Sequence, residues 1–359
     1  MSRQIRLSEC EDQRDAIHQV LATLAAGQIA SVPDDSGSLL LCLPTRDEAV
    51  QRLTACRQAE WPAVVLLADA EMAADYVVPW PKLASRMGLR CWPGPVILTV
   101  EASDCGLAHA WSPSARDWAR NGSAKSLFVP AHPFVLEMLR LAAEPALAYV
   151  VPKEHQPVAA TDVPLVVNED EIRYTAPPTH IAVREQGYEI LEPGVVSERM
   201  VARLASKVFL FVCTGNTCRS PMAEALFRKM LSERLQCRED ELLDHGYVVM
   251  SAGLAASPGS PASPESVDLL REKNGIDLRA HESQLATEEL LMRADQVFTM
   301  TGNHAAAILS MFPELTDRVT TLSATGLDIP DPIGGGLDEY ERCHAAISRE
   351  LEQRLAEEL

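Results

Sequence analysis

Val208-Phe209-Leu210-Phe211-Val212 runs directly into Cys213-Thr214-Gly215-Asn216-Thr217-Cys218-Arg219-Ser220, and Pro221 opens a stretch whose apolar residues recur at helical spacing. A short run rich in β-branched and aromatic residues suits a buried strand of a parallel sheet. The stretch up to about residue 235 carries Met222, Ala225, Leu226, Met230 and Leu231 on one stripe, which suits a helix with Ser220 as N-cap and Pro221 at its first position. Strand, tight loop and helix in that order demand an α/β layer, with the loop at the carboxyl end of the strand where open parallel sheets bind ligands.

The loop is an anion cradle in outline. Backbone N–H groups wrapped around a centre, together with the positive end of the following helix, bind a tetrahedral oxyanion. Gly215 and Asn216 tolerate the left-handed dihedrals that such a wrap requires. Arg219 closes the cradle as a bidentate fork, and Thr214, Thr217, Cys218 and Ser220 complete its lining. Cys213, at the strand end and under the same positive field, is expected to have a depressed pKa and to act as a thiolate nucleophile.

A Cys and an Arg at this spacing arise by chance, and a buried cysteine is often only a small hydrophobe. The longer string CTGNTCRSPMAEALF, however, resembles the phosphate-binding loop of the low-molecular-weight protein phosphatases. Ser251-Ala252-Gly253, Asn274-Gly275-Ile276-Asp277 with His281, the strand at 294–300 and Asp331-Pro332 follow in that family's order. The resemblance covers residues 207–359. It implies a general acid that protonates the leaving group, and two carboxylates compete for that role. Asp331 lies in the Asp-Pro dipeptide that matches the family acid, in a loop with two prolines and three glycines; Asp328 reads equally as a turn residue, so Asp331 is favoured. Cys213 then takes the phosphoryl group while Asp331 protonates the leaving group, and Asp331 deprotonates the water that hydrolyses the intermediate. No metal or cofactor enters this scheme, and the substrate is a phosphorylated protein.

Two positions bear on which one. The tyrosine-directed branch usually has an apolar residue at position 217 and aromatics after the Asp-Pro; here stand Thr217 and Ile333 followed by glycines. A phenol ring without an aromatic wall loses stacking worth about 0.5–1.5 kcal/mol. The CTGNTCRS form with a glycine-rich Asp-Pro loop looks like the protein-arginine-phosphatase branch, so phosphoarginine is favoured over phosphotyrosine. Thioredoxin-coupled arsenate reductases share the loop but relay a disulfide through two nearby cysteines; Cys237 and Cys343 are far apart in sequence and make no such pair. A reversible Cys213–Cys218 disulfide remains open beside a purely structural role for Cys218. His281 and His304 are expected to be hydrogen-bonding residues of their loop or helix start.

The remaining elements are expected as strand 247–250, helix 264–274 with Ser263 as N-cap and Gly275 as stop, helix 286–293, strand 296–300, helix 304–311, strand 318–322 and helix 337–358. They make a four-stranded parallel sheet flanked by helices. A chain of 359 residues is longer than one core comfortably serves, which implies two domains, 1–200 and 201–359. Nine cysteines without a paired framework read as free thiols of a reducing cytoplasm. Residues 1–15 are polar and charged, unlike a signal peptide, and no apolar run reaches the ~18 residues of a membrane span. The net charge of −19 is shared, with 17 Lys+Arg against 26 Asp+Glu in the first 200 residues and 15 against 25 in the rest, which argues against a nucleic-acid-binding surface in either half.

The first half alternates helix 11–26, strand 28–32, helix 47–56, strand 63–67 and helix 69–76, an α/β pattern. With Cys91-Trp92-Pro93-Gly94-Pro95-Val96-Ile97-Leu98-Thr99, Ala131-His132-Pro133 and Ile190-Leu191-Glu192-Pro193-Gly194 it resembles the YrdC-like threonylcarbamoyl-adenylate synthases over about 17–201. The departures are at the family's working segments. Its Pro-Thr-Asp-Thr-x-Tyr-Gly-Leu run stands here as Pro33-Asp34-Asp35-Ser36-Gly37-Ser38-Leu39-Leu40, its Lys-x-Arg cations are reduced to Arg57, and its Thr-Ser-x-Asn segment is Thr161-Asp162-Val163-Pro164. A triphosphate placed beside Asp34 and Asp35 without those cations meets like-charge repulsion. The half is therefore expected to keep the fold without the reaction, as a domain for a protein partner or a nucleotide-like regulator; the alternative is a bifunctional or nucleotide/RNA-binding protein with the synthase alive. Trp61, Trp80, Trp92, Trp111 and Trp118 all fall here and are expected mainly in its core. The bridge at 192–206 holds a helix-like 197–205 and no Gly/Ser tract, which implies a semi-rigid junction.

Overall fold

The computed structural model describes residues 2–58, 60–101, 106, 110–120, 124–142, 144–155, 163–169, 171–184 and 187–358. Two compact units divide the chain, Met1–Ala205 and Ser206–Leu359.

One ten-stranded sheet organises the first unit: β1 (Arg3–Arg6), β2 (Ala30–Asp34), β3 (Gly37–Cys42), β4 (Ala63–Leu66), β5 (Val96–Glu101), β6 (Ala124–Phe128), β7 (Ala146–Pro152), β8 (Leu165–Asn168), β9 (Thr179–Arg184) and β10 (Gly187–Glu192), in the order β1-β8-β2-β3-β7-β4-β6-β5-β9-β10. Its helices are α1 (Gln13–Ala25), α2 (Asp47–Ala55), α3 (Ala73–Tyr76), α4 (Lys82–Cys91), α5 (Pro113–Arg120), α6 (Pro133–Ala142) and α7 (Glu198–Ala205). Leu39 and Leu41 pack toward α1 and α6, whereas Leu40 and Cys42 pack toward α2 and α4, so both faces of β3 are apolar because both are covered. Trp61, Trp92 and Trp111 lie in the second of these cores, with Trp80 and Trp118 packed against it. The helix expected at 69–76 starts later, at Ala73, and ends at Tyr76; ahead of it the Asp69 carboxylate accepts the Met72 N–H at 3.0 Å and holds a turn. Arg86 and Arg90 of α4 donate to the carbonyls of Ala205 and Leu204 at 3.0 Å each, satisfying the open carboxyl end of α7. Thr161 and Asp162 lie outside the described residues.

The second unit is a four-stranded parallel sheet in the order β12-β11-β13-β14, formed by β11 (Lys207–Cys213), β12 (Tyr247–Gly253), β13 (Gln296–Thr299) and β14 (Val319–Thr321). Helices α8 (Arg219–Leu235), α9 (Pro264–Asn274), α10 (Glu288–Arg293), α11 (Gly302–Met311) and α12 (Leu337–Glu358) flank it. Central strand β11 alternates strictly: Val208, Leu210 and Val212 enter the core beneath α10 and α11, and Phe209, Phe211 and Cys213 enter the core beneath α8 and α12. Phe227 of α8 meets Phe209 and Phe211 edge-on at centroid distances of 5.0 and 5.4 Å. This pleat delivers Cys213 to the α8 side at the carboxyl end of the sheet.

Helix α8 departs from expectation at its start. It begins at Arg219 behind Cys218, whose φ −124°, ψ −81° are non-helical, and no side chain caps it. Ser220 is thus inside the first turn, and its hydroxyl is spent elsewhere. The expected caps of α9 hold: Ser263 accepts from the Ser266 N–H, and Gly275 ends the helix at φ +69°.

Candidate active site

Cys213, 3 % exposed, closes β11. Its Sγ accepts the Asn216 backbone N–H at 3.2 Å and lies 3.0 Å from the Ser220 hydroxyl. Asn216 supplies the left-handed residue of the loop, at φ +55°; Gly215 does not adopt a positive φ, so the expected sharing of that conformation falls on Asn216 alone. Left-handed backbone is tolerated by asparagine at modest cost, and here the side chain holds it. Nδ2 donates to Ser220 and Ser251 at 2.9 Å each, and Oδ1 accepts the Gln284 N–H at 2.8 Å. The Asn216 carbonyl accepts from His281 Nε2 at 2.8 Å, which assigns the ring proton to that nitrogen.

The network continues into the protein. Ser251 donates to Glu224 at 2.6 Å, and burial pushes the Glu224 carboxyl above its ordinary range. Sequence reasoning gives neither Glu224 nor Ser251 a role, although both stand in segments that resemble the family; a carboxylate four residues after Ser220 is the available signal. Gly253, at the end of β12, lies under the loop: a Cβ there would meet the Thr214 carbonyl oxygen at 2.5 Å and the Asn216 nitrogen at 2.8 Å.

Arg219 is 5 % exposed, and its Nη2 pairs with Asp331 Oδ2 at 2.5 Å. The Asp331 side chain remains 43 % exposed at the rim. Asp328 is turned away, its Oδ1 accepting the Gly302 N–H at the start of α11 at 2.7 Å. Geometry therefore brings Asp331, and not its competitor, to Arg219. The loop around Asp331 carries no aromatic residue, and Leu327, Ile333 and Leu337 are all more than half exposed.

The other loop residues are placed as follows. Thr217 is half-buried, and its carbonyl accepts the Ser263 N–H at 2.8 Å, tying the loop to α9. Cys218 is buried with its Sγ 3.4 Å from the Tyr340 hydroxyl, a group pushed up to about 12 by burial and by that sulfur. Cys343, in α12, is fully buried, and burial pushes its thiol up to about 12. Thr214 is exposed, and its Oγ1 lies 2.9 Å from His304 Nε2. Among the described residues no three His, Cys, Asp or Glu side chains are grouped as metal ligands, and no helix is long and apolar enough to cross a membrane.

Known proteins share both units. Residues 208–359 match the profile of low molecular weight phosphotyrosine protein phosphatases, and residues 22–194 match that of the Sua5/YciO/YrdC proteins, described as telomere recombination. A protein-arginine-phosphatase of Bacillus subtilis is 44% identical over 154 residues, 42% of this chain and 95% of that protein. A probable low molecular weight protein-tyrosine-phosphatase, EpsP, of Ralstonia nicotianae is 37% identical over 144 residues, 40% of this chain and 90% of that protein. The tyrosine phosphatase Etp of Escherichia coli is 30% identical over 152 residues, 42% of this chain and 93% of its own length. The chain belongs to the low molecular weight phosphotyrosine protein phosphatase family and is a phosphoprotein phosphatase, with a YrdC-family domain ahead of the catalytic one.

Proposed function

We propose that residues 206–359 hydrolyse phosphoarginine in proteins in preference to phosphotyrosine, through a thiophosphate on Cys213. The observation that carries the chemistry is the Cys213 sulfur, held at 3.2 Å by the Asn216 amide and at 3.0 Å by the Ser220 hydroxyl, with the Arg219–Asp331 pair at the rim. The Asn216 amide donates to that sulfur and fixes its place at the base of the loop, while the Ser220 hydroxyl donates to the Ala252 carbonyl at 3.2 Å. The uncapped first turn of α8 offers its N–H groups to the phosphoryl oxygens, together with the amides of Thr214, Gly215, Thr217 and Cys218. Arg219 takes two of those oxygens as a fork, and the phosphoryl group then replaces the Asp331 carboxylate on the guanidinium.

Chemistry follows from that exchange. The sulfur lone pair forms an S–P bond as the P–N bond breaks, and Asp331, protonated from solvent once the phosphoryl group has displaced it from Arg219, delivers that proton to the departing guanidine nitrogen. The Asp331 carboxylate next takes a proton from water, the water oxygen bonds to phosphorus, and the S–P bond breaks to return the Cys213 thiolate and release inorganic phosphate. Preference for phosphoarginine is supported by the hydroxyl of Thr217, by the aliphatic Asp-Pro loop and by the 44% identity to a protein-arginine-phosphatase.

Cys213→Ser is expected to abolish hydrolysis of an aryl phosphate and of both phosphopeptides; activity that survives it overturns the mechanism. Thr217→Ile is expected to shift the kcat/KM ratio toward a phosphotyrosine peptide, and an unmoved ratio removes Thr217 from substrate choice.

The first unit, on this proposal, keeps its fold as a binding or regulatory domain without the synthase reaction. Support comes from the β2–β3 hairpin, where Asp34 and Asp35 are buried and burial raises both carboxyls, an environment hostile to a triphosphate.

A further inference from the structure

We propose that His304 and Thr214 form a specificity pair: the imidazole decides whether the Thr214 hydroxyl accepts or donates a hydrogen bond at the mouth of the site, and the accepting state selects phosphoarginine. The inference rests on the phosphoarginine preference proposed above and adds a determinant separate from Thr217. Thr214 directly follows the nucleophile but, unlike Cys213, is exposed. Its Oγ1 is 2.9 Å from Nε2 of His304, which sits in the first turn of α11 and is 8 % exposed. The other ring nitrogen, Nδ1, is 2.9 Å from Thr301 Oγ1, and that oxygen also accepts the His304 backbone N–H at 3.2 Å.

A hydroxyl has one proton to give and two lone pairs to receive with, and a neutral imidazole has one of each. Two arrangements therefore satisfy the same three side chains. In one, Thr301 donates to Nδ1, Nε2–H donates to one lone pair of Thr214, and the Thr214 proton points outward beside the single lone pair that is left. In the other, Nδ1–H donates to Thr301, Nε2 accepts the Thr214 proton, and Thr214 offers outward only lone pairs. The guanidinium of phosphoarginine carries N–H donors beside the scissile P–N bond and no acceptor. A phosphotyrosine ester has no N–H at the equivalent place. Only the first substrate can use Thr214 as an acceptor.

The arrangement that presents only lone pairs to the substrate requires a neutral imidazole, since an imidazolium donates from both nitrogens. Burial, reinforced by Arg219 of α8, pushes His304 below its ordinary value, against the opposing pull of Asp328 and Asp331 in the Asp-Pro loop. His304 is accordingly a positioning residue, acting on the substrate through Thr214.

The test uses the full chain and two peptides of one sequence, carrying phosphoarginine or phosphotyrosine. The readout is the ratio of their kcat/KM values in Thr214→Val, Thr214→Ser, His304→Ala and the Thr214→Val/His304→Ala double variant. Loss of one hydrogen bond to a charged group predicts that Thr214→Val lowers the phosphoarginine-to-phosphotyrosine ratio about tenfold or more. Thr214→Ser keeps the ratio, His304→Ala lowers it, and the double variant falls no further than the larger single one, because both remove the same contact. Equal losses on the two peptides, or single effects that multiply, overturn the pair. Should His304→Ala not fold, Thr214→Val and Thr214→Ser alone decide, since that side chain lies at the surface. A wild-type chain that prefers phosphotyrosine overturns the substrate proposal and the pair together; one that prefers phosphoarginine with ratios unmoved by the variants overturns the pair alone.

Discussion

Asn216 shows how one residue can carry a loop. Its backbone is left-handed, its carbonyl is held by His281, its amide nitrogen bridges Ser220 and Ser251, and its own N–H reaches the Cys213 sulfur. Every polar group of the residue is committed, so the strained dihedral is over-determined by its neighbours. Asp34 presents the opposite case. It is buried in the hairpin of the first unit with Oδ2 accepting from Ser36 and with Oδ1 unpartnered, and burial raises its carboxyl from 3.8 to about 6. The folded chain therefore holds a proton that the unfolded chain releases first. Stability is fully present below about pH 4 and declines as pH rises toward about 6, by roughly 3 kcal/mol at about 1.4 kcal/mol per pH unit. Asp34→Asn removes the titration. The variant is expected to raise the melting temperature of the first unit at pH 7.5 and to leave it nearly unchanged at pH 4; an equal difference at both pH values would falsify the assignment.

At the scale of elements, the active loop depends on the strand beside it as much as on its own residues. β12 runs parallel to β11 with Gly253 opposite Cys213, and the loop backbone passes over Gly253 so closely that a Cβ would collide with two main-chain atoms. Main-chain atoms cannot rotate aside as a side chain can. Gly253→Ala is expected to cost about 1–3 kcal/mol of stability and to lower kcat by displacing the Asn216 amide from the sulfur. Gly302→Ala is the control: its Cβ would find only Asp328 Oδ1 at 3.9 Å, so alanine there should be neutral or slightly stabilising in a helix. A Gly253→Ala protein with wild-type kcat and melting temperature would show that the loop is set without β12. Strand, loop and helix were legible in the sequence because each is a local pattern: an apolar run, a small-residue turn and a helical stripe. The start of α8 was not, because Ser220 looks like a cap in isolation and only the fold reveals that Cys213 and Asn216 claim its hydroxyl. The motif favours Asp331 over Asp328, and the structure places Asp328 on the α11 amide and Asp331 on Arg219. The bridge from His304 to Thr214 spans 90 positions, which no periodicity encodes.

Across the whole molecule, each unit possesses its own sheet and its own buried clusters. The cores of the first unit draw only on residues up to Ala205, and those of the second only on residues from 208 onward. The side chains grouped about the loop are likewise contained: Cys213, Asn216, Arg219, Ser220, Ser251, His281, His304 and Asp331 all belong to the second unit. A unit with an independent core should fold alone. Residues 206–359 expressed by themselves are thus expected to unfold cooperatively and to retain the full chain's kcat/KM on a small aryl phosphate, because no reacting group is lost. ATP, threonine and bicarbonate, added to the full chain, are expected to leave its melting temperature unshifted, since a ligand stabilises only the state that binds it and the eroded hairpin offers buried carboxyls in place of cations. A shift of several degrees with ATP would mean that the pocket still accepts a nucleotide and that the chain is bifunctional. An isolated catalytic unit that folds but hydrolyses the aryl phosphate poorly would assign the first unit a direct part in shaping the active site.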